Sequence, residues 1–339
     1  MTDNHARSPQ ILALADDLTG ALETGAQLAA EGLEALVCAR PPFDASAEAV
    51  VLNLETRHLS ASAAEQRVRE AVALRRNARI YLKTDSTLRG SIAESLRALK
   101  DEFPGRAIAY IPAYPAMGRT VRHGVLYVDG VPLAETAFAR DPLNPIRSSS
   151  VVDLAAGIAV VHDGENEQDL VASASALAPS AAIIAGTAGF VGHWVRSLGL
   201  TRLTRPITPK ASSGLIVVGS RHPVAIAQAK AAAGAPAWPL FQLPSAILPD
   251  PLEVAAAAAA QVRQRLEATP DSALIVVGGD TAAAILKELG CRTARPIGEL
   301  LPGVPVSRIE ALGRSFTLVT KAGGFGNPQT LLHIIEKLQ

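Results

Sequence analysis

Short apolar runs rich in Val, Ile and Leu alternate along the chain with longer stretches of helical periodicity. That alternation predicts mostly parallel strands covered by helices. In the first half it predicts strands at residues 11–15, 35–39, 50–54, 80–83 and 107–111, with further runs at 158–161 and 181–185. Helices are expected between them at 21–31, 61–76 and 92–102. Residues 124–132 alternate around Asp129-Gly130, a hairpin turn signal. The texture breaks at 205–214, which holds two prolines and little apolar content and reads as a linker. Beyond it the pattern restarts, with strands at 215–218, 274–277 and 316–320 and helices at 224–233, 252–266, 282–289 and 330–338. The expected fold is therefore α/β, with two domains, each a mostly parallel sheet flanked by helices, and an active-site cleft between them. The division is 1–204, a linker at 205–213, and a second domain at 214–339.

Composition narrows the class. The 339 residues are 48% hydrophobic and 19% charged, which suits a globular protein with ample surface to bury. Thirty-two basic residues balance 32 acidic ones, so no basic footprint for nucleic acid exists at the level of the whole chain. Cys38 and Cys291 stand far apart without metal-ligand spacing, and Cys38 reads as a small buried hydrophobe. The first ten residues are polar and lack the apolar core of a signal peptide. No apolar stretch is long enough to span a membrane, so the cytoplasm is the expected location.

In open α/β sheets ligands bind beyond the carboxyl ends of the strands. In the first half those ends carry Asp16, Asp17 and Thr19, then Arg57, then Lys83, Thr84, Asp85, Ser86 and Arg89. Arg57, Lys83 and Arg89 could clamp a carboxylate. Asp16, Asp17 and Asp85 could accept hydrogen bonds from a polyol or take a proton from an attacking hydroxyl. Capping is the plain alternative: Asp17 or Thr19 for one helix, Asp85 or Ser86 for the next. Lys83 and Arg89 could likewise pair with Asp85 as structure. In the second half the strand ends supply glycine and hydroxyl instead: Gly219-Ser220, Gly278-Gly279-Asp280-Thr281, and Lys321 followed by Gly323 and Gly324. Backbone donors on glycine suit phosphates, although no P-loop or dinucleotide fingerprint is present. The histidines show no metal-ligand pairing, and no metal site is predicted.

These segments resemble the four-carbon acid sugar kinase family, whose members phosphorylate acids such as threonate, erythronate and 3-oxo-tetronate. The matching stretches are 15–21, 56–58, 83–90, 112–120, 126–136, 138–145, 278–281 and 321–326, spread over nearly the whole chain. The resemblance implies an N-terminal domain that holds the sugar acid and a C-terminal domain that holds ATP with Mg2+. It puts substrate contacts on Asp17, Arg57, Lys83, Thr84, Asp85 and Ser86; Asp16 and Arg89 join them as candidates from their place at the same strand ends. Asp17, Asp85 and Lys83 are the catalytic candidates, Asp17 first. The resemblance puts nucleotide contacts on Ser220, Gly278, Gly279, Asp280, Thr281 and Gly323, and Gly324 of the same glycine loop is a further candidate. The implied reaction is in-line transfer of a phosphoryl group to a terminal hydroxyl; the partners are the sugar acid and ATP, with a homodimer admitted. Two departures stand out. The family's serine-rich loop is reduced here to Val218-Gly219-Ser220-Arg221-His222, and the stretch from Ser220 to Gly278 is short. They motivate the competing expectation of a non-catalytic sugar-acid sensor with a degenerate nucleotide domain.

Overall fold

The computed structural model describes residues 10–41, 47–73, 77–141, 144–203, 209–235, 237–243, 251–269 and 272–339. Residues 205–208 of the expected linker and 74–76 of the expected second helix lie outside them.

The first half contains β1 (Ile11–Ala15), α1 (Leu18–Ala30), β2 (Ala35–Cys38), β3 (Ala49–Asn53), α2 (Ala61–Ala73), β4 (Arg79–Lys83), α3 (Ile92–Glu102) and β5 (Ile108–Ile111). A small antiparallel sheet follows, β6 (Arg119–Arg122), β7 (Val125–Val128) and β8 (Val131–Pro132). Then come α4 (Val151–Ala155), β9 (Val160–Val161), α5 (Glu167–Leu177), β10 (Ile183–Gly186) and α6 (Ala188–Ser197). The second half runs β11 (Gly214–Val218), α7 (Pro223–Ala232), β12 (Leu240–Gln242), α8 (Pro251–Ala268), β13 (Ala273–Val277) and α9 (Gly279–Glu288). It ends with β14 (Thr293–Leu301), β15 (Val304–Ala311), β16 (Arg314–Lys321) and α10 (Thr330–Leu338).

Most of the parallel strands are where the apolar runs predict them, because most bury both faces; the half-exposed β12, parallel to β11, was not predicted. Every residue of β1, β3, β11 and β13 is buried, as continuous Val/Ile/Leu runs in a covered parallel sheet require. The first array orders as β2-β3-β1-β4-β10-β5-β9, all parallel. The second has β12-β11-β13-β16 in parallel. At the expected hairpin, Asp129 and Gly130 have φ of 51° and 82°, the paired positive values that join β7 to β8. Both cysteines are buried free thiols.

Two further features depart from the sequence reading. The antiparallel pair β14–β15 was not anticipated, since Pro296, Gly298 and two register shifts break its alternation. Its outer strand pairs with β2 through Thr293↔Cys38 and Ala294↔Val37, joining the two arrays into one 13-stranded sheet. Gly25 permits that junction: a Cβ there would lie 2.6 Å from Pro296 Cγ and 2.7 Å from Val37 Cγ2. Glycine thus lets α1 press on both sides of the seam. Second, α9 begins at Gly279 and not at residue 282. The glycine pair is therefore the helix start itself. Among the described residues no helix is long and apolar enough to cross a membrane.

Candidate active site

β3, β1 and β4 are adjacent and in register, with Ala15 opposite both Asn53 and Lys83. Their carboxyl ends release the chain at one level, and the predicted charged residues converge there. Arg57 is the hub. Its Nε donates to Asp16 Oδ2 at 2.8 Å and its Nη1 to Asp17 Oδ2 at 2.6 Å, while Nη2 lies 3.1 Å from Asp85 Oδ1. Arg89 grips Asp85 with both Nε and Nη2 at 2.9 Å and reaches Asp141 at 3.3 Å. Phe138 lies under the Arg89 guanidinium at 5.8 Å.

The capping alternatives resolve differently at each residue. Asp17 does cap α1, accepting from Gly20 N at 2.8 Å through Oδ1, and uses its second oxygen for Arg57. Asp85 does not cap α3, whose N-cap is Ser91. It folds its own turn by accepting from Thr87 N and Thr87 Oγ1 at 3.0 and 2.5 Å. Arg89 pairs with Asp85 as structure, whereas Lys83 does not. Buried at 3% exposure, Lys83 donates to the Thr84 carbonyl at 2.8 Å. A Cβ on Gly20 would lie 2.5 Å from Lys83 Nζ and 2.8 Å from Asp17 Oδ1, so the ammonium and Asp17 crowd the start of α1. Thr84 is buried, 3.3 Å from the Tyr110 hydroxyl, and Ser86 is half-buried in the turn.

Burial and charge separate the three aspartates. Burial pushes the Asp16 carboxyl up, Arg57 pulling against it, and its Oδ1 has no hydrogen-bond partner. Burial would raise Asp85 too, but Arg89 and Arg57 outweigh it and hold that carboxyl well below the usual range. Asp17 has the most accessible side chain of the three, 21% against 14% and 7%. A cavity of ≈ 10 Å³ lies among Asp16, Lys83, Thr84 and Arg89, about the room one water needs.

In the second array β11, β13 and β16 are likewise adjacent, with Val218 opposite Val277 and Val277 opposite Lys321. Their three glycine loops interlock. A Cβ on Gly219 would fall 1.8 Å from Thr281 Oγ1, and one on Gly323 would fall 1.9 Å from Ser220 Oγ. Gly278, with φ of 119°, hydrogen-bonds through its N–H to the Lys321 carbonyl at 2.9 Å and turns the chain into α9. Gly324 packs on the His222 ring, which caps α7. Lys321 is 1% exposed and ties its loop to the Ala322 and Phe325 carbonyls at 2.6 and 2.7 Å. Burial draws its ammonium down to about 7.

The two sets meet. A Cβ on Gly279 would stand 2.8 Å from Thr19 Oγ1 and 3.6 Å from Asp17 Oδ2, so the first turn of α9 abuts the first turn of α1. Asp280, 63% exposed, lies 3.9 Å from His58, which contacts Asn144 at 3.3 Å.

Several groups here escaped the sequence reading. Glu23 on α1 is 9% exposed and pushed up to about 8 by burial. Glu299 on β14, held by Gln27 at 3.0 Å, is pushed up to about 7 by burial. Arg119 at the start of β6 extends no ion pair to any carboxylate among the described residues. Only Arg119 carried a signal, its place in a matching stretch; the glutamates lie on a helix face and on an unanticipated strand.

Comparison with known proteins agrees with this two-part layout. Residues 11–158 match a family model described as a sugar-binding N-terminal domain, and residues 248–331 one described as a nucleotide-binding C-terminal domain. A D-threonate kinase of Bordetella bronchiseptica is 30% identical, the match covering 98% of each chain. A D-erythronate kinase of Heliobacterium modesticaldum is 32% identical over 43% of this chain and 35% of its own. Among solved structures, a Salmonella typhimurium protein superposes with TM-score 0.77 at 21% identity, covering 97% of this chain and 99% of that one. A Bordetella bronchiseptica domain, solved with bound citrate as a domain-swapped dimer, gives TM-score 0.52 at 27% identity over 97% and 98%.

Proposed function

The chain belongs to the four-carbon acid sugar kinase family, and from that premise we propose that it transfers the γ-phosphoryl group of ATP to a terminal hydroxyl of a four-carbon sugar acid. The observation that carries this reading is the approach of Gly279 to Asp17 and Thr19. It brings a helix N-terminus, with its free amides, against the carboxylate best placed to receive a hydroxyl proton. Relatives named threonate and erythronate kinases support the substrate class. So does the citrate of the Bordetella domain, itself a hydroxy acid.

In this reading the acid lies over the ends of β3, β1 and β4. Arg57 fixes the second oxygen of Asp17, and Asp17 orients the hydroxyl and takes its proton as the oxygen attacks phosphorus. The new O–P bond forms as the bond to the leaving nucleoside diphosphate breaks. Lys83, beside Asp17, offsets the negative charge of the transferring group. The amides that open α9 and those of the Gly323 loop hold the phosphates, Thr281 and Ser220 locking the glycine loops together. Such enzymes act chiefly through positioning and electrostatics. Among the described residues no group of three or more His, Cys, Asp or Glu could hold a metal. Magnesium carried on nucleotide phosphates needs only one or two protein carboxylates, and exposed Asp280 fits that need. There it would spread phosphate charge. Asp85 serves as the anchor of Arg57 and Arg89 in this scheme, not as a base.

The same reading keeps the division at residues 205–213, supported by family-model matches on either side of it. It makes a second copy of this chain the partner to look for, as in the domain-swapped Bordetella dimer. The test is an ADP-coupled assay with Mg-ATP over the stereoisomeric four-carbon acids. Turnover of at least one acid, lowered by roughly 10²-fold or more in Asp17→Asn, is expected. Acid binding without ADP formation would replace the kinase by a sensor.

A further inference from the structure

The arginines expected to clamp the substrate carboxylate are already engaged. Arg57 meets Asp16, Asp17 and Asp85 with three different nitrogens. Arg89 spends Nε and Nη2 on Asp85 and Nη1 on Asp141. Neither keeps a free edge for the two parallel bonds by which a guanidinium recognises a carboxylate.

Arg119 keeps one. It leaves the 3-10 turn Pro115–Met117 at Gly118 and opens β6, its backbone paired with Tyr114 in both directions. Its Nη1 donates to the Met117 carbonyl, its Nε is buried with no partner, and among the described residues no carboxylate lies within ion-pair distance. The turn it leaves packs Tyr114 and Met117 against Phe325 of the Lys321 loop, which sets it beside the glycine loops, and its charge feels Asp129, Asp85, Glu23 and Arg89. Burial pulls its pKa down against the pull of those carboxylates, and a guanidinium desolvated without a paired carboxylate is costly unless an anion completes it. Lys83, also without a carboxylate partner among the described residues, stands instead beside Asp17 and Gly20, where the hydroxyl reacts. An acid with a carboxylate at one end and a reacting hydroxyl at the other matches two cations so divided.

We propose that Arg119 receives the carboxylate of the sugar acid and sets the preference for acids over neutral polyols. This deepens the kinase reading and rests on it. The other office open to Arg119 is to staple the Pro115–Met117 turn, and the test must separate the two.

The full chain, Arg119→Gln and Arg119→Lys are compared in the ADP-coupled assay, using the acid the unaltered chain converts best and its neutral primary amide. The readout is the ratio of kcat/KM for acid over amide, which a lowered folded fraction leaves unchanged. The unaltered chain is expected to favour the acid by ~100-fold or more, because the site rejects an analogue that leaves its buried charge unpaired. R119Q is expected to bring the ratio below ~10 while KM for ATP stays within about twofold, and R119K, a charge without the fork, to fall between. An unchanged ratio in R119Q, with both substrates slowed equally, assigns Arg119 to the turn and overturns the proposal alone. No turnover of any acid by the unaltered chain overturns the kinase reading and this assignment with it.

Discussion

The carboxyl ends of β3-β1-β4 and of β11-β13-β16 occupy equivalent places in two parallel arrays, yet they are furnished in opposite ways. The first carries three aspartates, two arginines and a lysine, cross-linked by bonds of 2.6–3.1 Å around Arg57. The second presents glycines whose missing side chains leave room for the Oγ atoms of Ser220 and Thr281. A sugar acid differs from its neighbours by individual hydroxyls and one charge, so recognising it takes side chains of defined reach. A phosphate tail offers the same oxygens in every nucleotide, and backbone amides suffice. The charged side is therefore rigid through charge, and the glycine side through close backbone packing. Each fails in its own way when altered.

The largest effect is expected where the two sides touch. Asp17→Asn should lower kcat by roughly 10²–10⁴-fold, the range for losing a positioned base. KM for ATP should change little, because the phosphate loops are untouched. Near-normal turnover of a folded D17N protein would remove Asp17 from the chemistry. Asp85→Asn attacks the charged side as structure. Arg57 and Arg89 would lose a buried counter-charge, costing about 3–5 kcal/mol in denaturant unfolding. Loss of activity without loss of stability would mean that Asp85 acts on substrate directly.

On the glycine side, Gly323→Ala forces a Cβ into Ser220 and, if the loops hold ATP as proposed, should raise KM for ATP by about tenfold or more, since displaced phosphate ligands are felt over fractions of an ångström. Binding of the acid, measured by calorimetry, should be unaffected. If both affinities fall together, the two strand-end clusters are not separable as described.

A gentler effect arises at the seam. Glu23 and Glu299 have folded pKa values raised to about 8 and 7 from 4.5. The folded state then binds more protons than the unfolded chain between pH 4.5 and these values. Stability should therefore be greatest at the acid end of that window and decline as pH rises to 8. The double variant E23Q/E299Q should flatten that decline. A wild-type profile that rises from pH 5 to 8 would contradict it. Smallest of all, Arg202→Ala removes a surface pair with Glu48, 56% and 24% exposed, and should cost under about 1 kcal/mol.

Both furnishings were legible in the sequence to the extent that they sit at strand ends. The parallel strands announce themselves as doubly buried Val/Ile/Leu runs, and whatever follows such a run in this fold class faces a ligand. Asp16, Asp17, Arg57, Lys83 and Gly278 were visible for that reason. What remained hidden depends on contacts between distant segments. No local pattern says that Arg57 is paired with aspartates 41, 40 and 28 residues away. The β14–β15 pair carries Pro296, Gly298 and bulges, which mask its alternation and with it the strand that welds the arrays together. Glu23 reads as an ordinary helix residue until β14 covers it. Arg119 reads as one more surface cation until its turn buries Nε.

The central claim is tested most directly by a crystal structure of the chain with a non-hydrolysable ATP analogue and the preferred acid bound together. The account predicts the γ-phosphate between the Gly279 amide and Lys83 Nζ, with the acid's terminal hydroxyl in hydrogen-bond reach of Asp17. A nucleotide seated away from the three glycine loops, or an acid whose hydroxyl points away from Asp17, would contradict it.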